Sequence, residues 1–283
     1  MGVGKNKARG GRRTGRTASA GTAGSRRDSV LDGRAPALWL YGTHAVLAAL
    51  ANPARRCRRL LLTRDSRRSL GDRIEAACAG RGKKMRAVPT EIVARADIDA
   101  RLPADVVHQG IALQTEPLPA EKPAWLTSTS VPEDAVVVVL DRVSDPRNLG
   151  AVLRAAAAFG ARGVIVPDRH APTASCAVAK AASGALEEVP LLRVANVSRT
   201  LETLKERGFW CVGLDGAAEQ SLAAATLSGR LALVLGAEGA GLRRLTRARC
   251  DLLVRIPLRG RTVDSLNLST AAAVALYEIA GRK

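Results

Sequence analysis

Short apolar runs alternate with stretches of helical periodicity along most of the chain. The run from Ala135 to Leu140 is rich in β-branched residues and has no polar alternation, as is typical of a strand buried on both faces of a parallel sheet. Strand-like and helical segments then alternate to the C-terminus, which predicts an α/β layered fold. The predicted strands are 136–140, 163–166, 189–194, 209–214, 231–235 and 252–256, and the predicted helices are 148–159, 175–183, 197–207 and 267–280.

The first part of the chain shows a similar alternation on a smaller scale. Strands are predicted at 38–41, 59–62, 86–88 and 110–114, with a helix at 43–51 capped by Thr43 and a second helix that starts at Ser69 and ends before Gly80. We therefore predict a small α/β domain over residues 38–115. Residues 116–133 contain four prolines and a Thr-Ser-Thr-Ser run, which predicts an extended linker before a second domain at 134–283.

Positive charge is concentrated at the N-terminus. The chain carries 44 Lys and Arg against 26 Asp and Glu, a formal net charge of +18, and residues 1–37 hold nine of the basic and two of the acidic residues. This stretch has few large aliphatic residues, so we predict a disordered basic tail. Phosphate binding and a solvated extension remain open as its role, and a mitochondrial presequence fits less well because the tail has no apolar face.

Composition excludes several classes of protein. No apolar run approaches the roughly 18 to 20 residues that span a bilayer, and no apolar stretch follows the basic N-terminus as in a signal peptide. The five cysteines lack Cys-x-x-Cys spacing and the chain has three histidines, so neither a metal site nor a disulfide framework is expected. We expect a cytoplasmic protein whose partner is a polyanion, held by charge and shape because aromatic residues are scarce.

Three loops differ from ordinary connections. Each follows a predicted strand, where ligands collect in open α/β sheets. The first, residues 140–154, contains Asn148 and Arg154; the second, 235–241, is rich in glycine and contains Glu238; the third is 256–269. Each also has a structural interpretation: Asn148 as a helix cap with Arg154 as a solvated charge, Glu238 in a tight turn, and one polar residue of the third loop as an N-cap.

Taken together, these loops resemble the three motifs of the SpoU (TrmH) family. The matching segments are Asp145-Pro-Arg-Asn-Leu-Gly150 with Arg154, Gly236-Ala-Glu-Gly-Ala-Gly241, and Ile256-Pro followed by Ser265-Leu-Asn-Leu-Ser269. Lys180-Ala-Ala-Ser-Gly-Ala185 resembles an intervening segment of the family. Tyr41-Gly-Thr-His-Ala-Val46 and His108-Gln-Gly-Ile-Ala112 resemble the ribosomal-protein-like substrate-binding domain of its RlmB-like branch, whose members methylate a guanosine of 23S rRNA.

The resemblance implies a SPOUT fold with a specific cofactor and partner. Its parallel sheet carries a C-terminal trefoil knot, follows a small ribosomal-protein-like α/β substrate-binding domain, and is expected to form a homodimer. Such proteins are S-adenosylmethionine-dependent RNA ribose 2′-O-methyltransferases, which need neither a metal nor a membrane. The expected substrate is RNA, with 23S rRNA favoured; a tRNA methyltransferase and a non-catalytic RNA-binding protein on the same scaffold are the alternatives.

The resemblance also assigns residues to the site. Backbone around Gly236, Ile256 and Leu266 is expected to hold the cofactor, and the family's polar active-site positions correspond to Asn148, Arg154, Glu238, Ser265 and Asn267. The loop from Gly260 to Asn267 is one residue longer than the usual family pattern. Arg154 is expected to be essential, either as a general base or as a group that fixes the phosphate and stabilises the alkoxide; the second role is physically easier because guanidinium stays protonated.

Deleting residues 1–37 is expected to weaken RNA binding at moderate salt and to leave the methylated nucleotide unchanged. Phosphate contacts made by a basic tail add affinity through counterion release but read no sequence. RNA binding measured over a range of salt concentrations, with 2′-O-methyl mapping of the product, tests both statements. A shift of the methylated position would contradict them.

Overall fold

The structure, a computed structural model, describes residues 37–80, 87–119, 131–260, 262 and 264–282. The predicted basic tail, apart from residue 37, and most of the predicted linker lie outside these ranges. Within them, residues 116–119 and 131–133 belong to no helix or strand. The two-domain division at 38–115 and 134–283 stays a prediction.

The first half builds a mixed four-stranded sheet. Its elements are β1 (Leu38–Tyr41), α1 (Thr43–Ala51), β2 (Cys57–Leu62), α2 (Arg64–Ala79), β3 (Thr90–Ile92), α3 (Arg95–Asp99) and β4 (Ile111–Thr115). The strand order is β1-β4-β2-β3, in which β4 runs antiparallel to β1 and β2, and β3 runs parallel to β2.

The second half builds a six-stranded sheet in which every pairing is parallel. Its elements are β5 (Val136–Leu140), α4 (Pro146–Ala158), β6 (Val164–Pro167), α5 (Cys176–Ala182), β7 (Leu191–Val194), α6 (Val197–Glu206), β8 (Phe209–Leu214), β9 (Arg230–Leu235), α7 (Arg244–Arg249), β10 (Leu252–Val254) and α8 (Leu268–Ala280). The strand order is β10-β8-β9-β5-β6-β7. The predicted α/β fold with a parallel sheet is confirmed; the trefoil knot stays a prediction, because strand order does not determine threading.

Hydrophobic patterning accounts for the centre of this sheet. Every residue of β5 is buried, as its unbroken apolar sequence predicts for a central strand. On α4, four apolar residues at helical spacing are fully buried, whereas Arg154 on the opposite face is exposed. The buried stripe of α4 consists of Leu149, Val152, Leu153 and Ala156.

Several element boundaries differ from the sequence predictions, mostly at helix caps. Gly42 and not Thr43 is the N-cap of α1. Helix α2 starts five residues before Ser69, because Thr63 accepts a hydrogen bond from the Ser66 amide and so caps the helix there. The N-cap of α4 is Asp145, which accepts from the Arg147 amide, and Asn148 therefore lies inside the helix.

The sequence patterns do not predict the short elements of the fold correctly. The strand predicted at 86–88 is wrong for residues 87 and 88, and residue 86 lies outside the described residues; the strand forms instead at Thr90–Ile92. Helices α3 and α7, of five and six residues, were not predicted. Each is too short to show a helical period, so tertiary contacts decide whether it forms.

The two sheets share one core. Leu40 and Leu50 of the first half belong to the same cluster of buried apolar residues as Val138 and Leu153 of the second half. A continuous apolar interior therefore holds the halves together.

A buried ion pair also joins the halves. The side chain of Arg55, which follows α1, is 1% exposed and pairs with Glu187, which is 6% exposed and ends a turn of 3-10 helix, Ala185–Glu187. Arg55 Nε donates to Glu187 Oε2 at 3.0 Å, and Asn52 Nδ2 donates to the same oxygen at 2.8 Å. Because a buried charge needs such partners, the pair restricts how the first half is oriented against the second.

Candidate active site

A cavity of about 970 Å³ lies at the carboxyl ends of three neighbouring parallel strands, β8, β9 and β10. Three stretches of the chain form most of its wall: residues 214–217 at the end of β8, residues 235–242 at the end of β9, and, after β10, residues 255–258, 260, 264–266, 268 and 271. The predicted cofactor-binding residues Gly236, Ile256 and Leu266 all line it. Two of the three sequence motifs therefore meet at one pocket.

The glycine turn after β9 depends on a close approach of backbone to backbone. A Cβ atom on Gly236 would lie 2.0 Å from the carbonyl carbon of Gly241, so no side chain fits at this position. Ala237 N donates to Gly241 O at 3.0 Å, and Gly241 N donates to Ala237 O at 2.9 Å, which closes the turn. Gly239 and Gly241 have φ angles of 74° and 63°, in the left-handed region that favours glycine.

Glu238 stands at the centre of a polar network built from all three motifs. Its Oε1 accepts from Asn148 Nδ2 at 2.8 Å, from Asn267 Nδ2 at 2.7 Å and from the Leu268 amide at 3.1 Å. Asn267 Nδ2 also donates to Asn148 Oδ1 at 3.0 Å. Three side chains that are far apart in sequence thus fix one another's orientation, and Glu238 Oε1 acts as the acceptor that orders the other two.

Asn267 has a second role as the N-cap of α8. Its Oδ1 accepts from the Ser269 amide at 2.9 Å and from the Ser269 hydroxyl at 2.6 Å. The structural interpretation of the third loop, in which one polar residue caps the helix, is therefore correct for this residue. The cap also holds the Asn267 carboxamide toward Glu238 and Asn148. Its Oδ1 atom caps the helix, and its Nδ2 atom joins the network.

Ser265 lies on the pocket wall but outside this network. Its hydroxyl is exposed and donates to Asp264 Oδ1 at 3.2 Å. The structure therefore brings Ser265 to the pocket, whereas Asn148 and Asn267 meet beside it.

Arg154 is not brought to the pocket of its own chain. It lies on the exposed face of α4 and does not line the cavity, and its side chain forms no hydrogen bond or ion pair with any other residue that the structure describes. A guanidinium in this state is available to a group supplied from outside the chain.

A buried carboxylate, missed in the sequence, holds the far side of the glycine turn. Asp141 directly follows β5, is 1% exposed and accepts hydrogen bonds from the Arg243 amide at 2.7 Å, from Arg243 Nε at 2.8 Å and from the Thr246 hydroxyl at 2.7 Å. Burial by itself would raise the pKa of this carboxyl, but the hydrogen bonds and charge of Arg243, with the bond from Thr246, outweigh burial and lower the pKa. The signal in the sequence was an acidic residue immediately after an entirely apolar strand.

A second missed pair lines the pocket itself. Arg247 Nε donates to Asp215 Oδ2 at 2.6 Å, and both residues form part of the wall. The hydrogen bond from Arg247 lowers the pKa of the Asp215 carboxyl. Asp215 follows β8 as Asp141 follows β5, so an acidic residue at a strand's carboxyl end would have indicated both positions.

The described ranges contain no cluster of three or more His, Cys, Asp or Glu side chains that could hold a metal ion. None of the helices in these ranges is long and apolar enough to cross a membrane.

Known proteins match both halves of the chain. Residues 135–277 match the SpoU rRNA Methylase family, and residues 39–120 match a family described as RNA 2′-O ribose methyltransferase substrate binding. Over 247 residues the chain is 40% identical to the 23S rRNA (guanosine-2′-O-)-methyltransferase RlmB of Pseudomonas putida, which covers 84% of this chain and 94% of that relative. The protein of the same name from Coxiella burnetii is 40% identical over 244 residues, with 85% and 94% covered.

A solved structure has the same architecture. The SpoU methyltransferase AviRb from Streptomyces viridochromogenes, in complex with the cofactor AdoMet, aligns with a TM-score of 0.70 at 25% sequence identity, over 87% of this chain and 90% of that one. These matches confirm the resemblance found in the sequence motifs.

Replacing Arg243 is expected to destabilise the protein in a pH-dependent way. Arg243→Met leaves the buried Asp141 without its counter-charge, at a cost of about 2 kcal/mol near neutral pH, since half of the arginine side chain remains in water. Because the folded-state pKa of Asp141 lies below the unfolded value of about 3.9, its stabilising contribution is present above that value and is lost as pH falls through the folded-state pKa. The difference between wild type and variant should therefore shrink below about pH 4.

Urea denaturation over this pH range measures that difference. Arg244→Met is the matched control, because Arg244 is the exposed neighbour and forms no ion pair with the described residues; its effect should stay within about 0.5 kcal/mol. Equal destabilisation by the two variants would contradict the role assigned to Arg243.

Proposed function

Because the chain belongs to the SpoU rRNA methylase family, we propose that it transfers a methyl group from S-adenosylmethionine to the 2′-hydroxyl of a guanosine in 23S rRNA. Members of this family methylate the 2′-hydroxyl of an RNA ribose and use S-adenosylmethionine as the methyl donor. The choice of a 23S rRNA guanosine follows the relatives, which this chain matches over nearly their whole length. The observation that carries the proposal is the meeting of three separated polar motifs beside one pocket.

The pocket suits S-adenosylmethionine in its lining. Backbone groups around Gly236, Ile256 and Leu266 surround the cavity, whose lining also includes apolar residues, Ser265 and five charged residues: Asp215, Glu238, Arg247, Arg255 and Asp264. When bound, the cofactor supplies an electrophilic methyl group on a sulfonium. The close contact at Gly236 keeps the turn tight enough to leave this space free, and Asp141 anchors the far end of the turn through Arg243.

Activating the ribose hydroxyl is the harder part of the chemistry. The hydroxyl is weakly acidic and must lose its proton as the new bond forms, so the site needs a base or a group that stabilises developing negative charge. We assign this role to Arg154, acting on the phosphate and the alkoxide. Asn148 is held by Glu238 and Asn267 about one and two-thirds helical turns before Arg154 on α4, where its amide can orient the substrate.

The position of Arg154 favours a site completed by a second copy of the chain. Arg154 is exposed and does not line the pocket of its own chain, while the pocket holds the residues assigned to the cofactor. We propose a homodimer in which Arg154 of one protomer reaches the pocket of its partner. Light scattering under active conditions tests this, and a mass of one chain would contradict it. The proposed place of action is the cytoplasm, where a substrate of the kind named for the bacterial relatives would be met.

The experiment that tests the function measures two steps separately. S-adenosylmethionine should raise the melting temperature by mass action, and the purified protein should then methylate transcribed 23S rRNA at a guanosine ribose. Binding without methyl transfer to any RNA would favour a non-catalytic RNA-binding protein. Methyl transfer to tRNA but not to 23S rRNA would show that the protein is a tRNA methyltransferase.

Arg154→Ala is expected to lower methyl transfer by about 100-fold or more, because the developing negative charge loses its stabilising group. The melting temperature and its rise with S-adenosylmethionine should persist, since Arg154 has no partner among the described residues and does not line the pocket. Arg162→Ala, also exposed, is the matched control and should keep near-native turnover. Near-native turnover of folded Arg154→Ala would remove Arg154 from the mechanism.

Gly236→Ala is expected to weaken S-adenosylmethionine binding by about tenfold or more, because the added Cβ forces the turn away from Gly241. Gly216→Ala provides the control: Gly216 lines the same pocket, but a Cβ there meets nothing within 4 Å. Titration calorimetry on both folded variants measures the effect. Similar affinities for the two would show that the glycine turn does not shape the cofactor site.

A further inference from the structure

Asp215 is a carboxylate on the wall of the cofactor pocket to which the methyl-transfer chemistry assigns no role. It directly follows β8, and its side chain is 17% exposed. Its amide donates to Val254 O at 3.0 Å, so the residue still belongs to the edge where the parallel strands end. Ligands of open α/β sheets bind at this edge. Asp215 is therefore placed to contact a molecule bound in the pocket.

The protein fixes both oxygens of this carboxylate and leaves each able to accept again. Oδ1 accepts from the Ala217 amide at 2.9 Å, and Oδ2 accepts from Arg247 Nε at 2.6 Å. No third donor among the described residues reaches either oxygen. An ionised carboxylate has about four acceptor positions, so each oxygen has room for one further hydrogen bond.

The loop that carries Asp215 is attached firmly to the neighbouring strand. Ala218 N donates to Asp215 O at 3.1 Å, which closes a turn. Arg255, which follows β10, donates through Nη1 to Ala218 O at 2.7 Å and to Glu219 O at 2.8 Å. Because the acceptor is already held in place, a ligand that binds it need not order this loop.

Two other carboxylates on the wall have different surroundings. Glu238 Oε1 accepts from Asn148 and Asn267 and so belongs to the network beside the pocket. Asp264 is exposed, and its Oδ1 accepts from the Ser265 hydroxyl. Asp215 combines low exposure with two oxygens in fixed positions, which is the arrangement expected of a ligand-binding acceptor.

The neighbouring guanidinium selects the kind of donor that Asp215 can accept from. S-adenosylmethionine offers a cationic α-ammonium group and the neutral 2′- and 3′-hydroxyls of its ribose. Arg247 already neutralises Asp215 and would repel a second cation, whereas hydroxyls meet no such repulsion. Two adjacent hydroxyls also match two carboxylate oxygens, and dinucleotide-binding α/β folds use an acidic residue to accept from a ribose 2′-hydroxyl.

We propose that Asp215 binds the ribose diol of S-adenosylmethionine, with each of its oxygens accepting from one hydroxyl, and that Arg247 is the positioning residue that holds the carboxylate. This inference rests on the proposed function in taking S-adenosylmethionine as the cofactor. The pair contributes to cofactor affinity and takes no part in removing the proton from the RNA.

Titration calorimetry with S-adenosylhomocysteine and with its 2′,3′-dideoxy analogue tests the proposal. The wild-type protein should bind the analogue about tenfold or more weakly, because the analogue lacks the two donors. Asp215→Asn should weaken S-adenosylhomocysteine by about tenfold and the analogue by less than about twofold. Arg247→Met should also weaken S-adenosylhomocysteine more than the analogue, because the carboxylate loses its fixed position; a purely structural role would weaken both alike.

Glu219→Gln is the matched control. Glu219 is an exposed acidic residue of the same loop and does not line the pocket, so its replacement should change the affinity for either ligand by less than about twofold. Thermal unfolding of each variant without ligand shows whether it is folded, and the comparison of the two ligands on the wild-type protein needs no variant.

Three results would overturn the proposal: equal affinity of the wild-type protein for the two ligands, equal weakening of both ligands by Asp215→Asn, or an effect of Glu219→Gln as large as that of Asp215→Asn. Equal weakening of both ligands by Arg247→Met would remove the positioning role of Arg247. A wild-type protein that binds neither ligand would refute the cofactor assignment as well. A protein that distinguishes the two ligands as expected but methylates no RNA would refute the proposed function and leave the diol site standing.

Discussion

The parallel direction of all six strands in the second sheet is the constraint on which the site depends. Parallel strands place their carboxyl ends at one edge, so the loops after β5, β8, β9 and β10 have to leave the sheet on the same side. Residues that are more than a hundred positions apart, such as Asn148 and Asn267, come within hydrogen-bonding distance for this reason. The same geometry opens the cavity between the loops after β8, β9 and β10.

Backbone and side chains have different roles in the site. Around Gly236 the chain approaches itself too closely for any Cβ, which shapes the cavity without using a side chain. Buried Asp141 then fixes the end of that turn through Arg243 and Thr246. The Glu238 network orients the two asparagines, and Arg154 on the outer face of α4 remains available to a group from another chain.

Contacts between the two halves bear on how RNA is presented for methylation. A shared apolar core and the buried Arg55–Glu187 pair restrict their relative orientation. Gln109, which lies just before β4 in the first half, accepts a hydrogen bond from Lys180 on α5, next to the helix that carries Asn148 and Arg154. The two halves therefore have a restricted relative orientation, and a fixed arrangement of this kind favours catalysis by positioning.

The sequence by itself determined the α/β alternation, the burial of β5 and the three polar motifs, because hydrophobic periodicity and short motifs are local properties. It also indicated Asn267 as a candidate cap. Helices α3 and α7, the start of α2 at Thr63 and the roles of Asp141 and Asp215 were missed, because short elements and buried carboxylates are stabilised by distant partners such as Arg243. Only the tertiary structure placed Glu238 between two asparagines and Arg154 outside its own pocket, since periodicity gives the face of a helix but not what lies across from it.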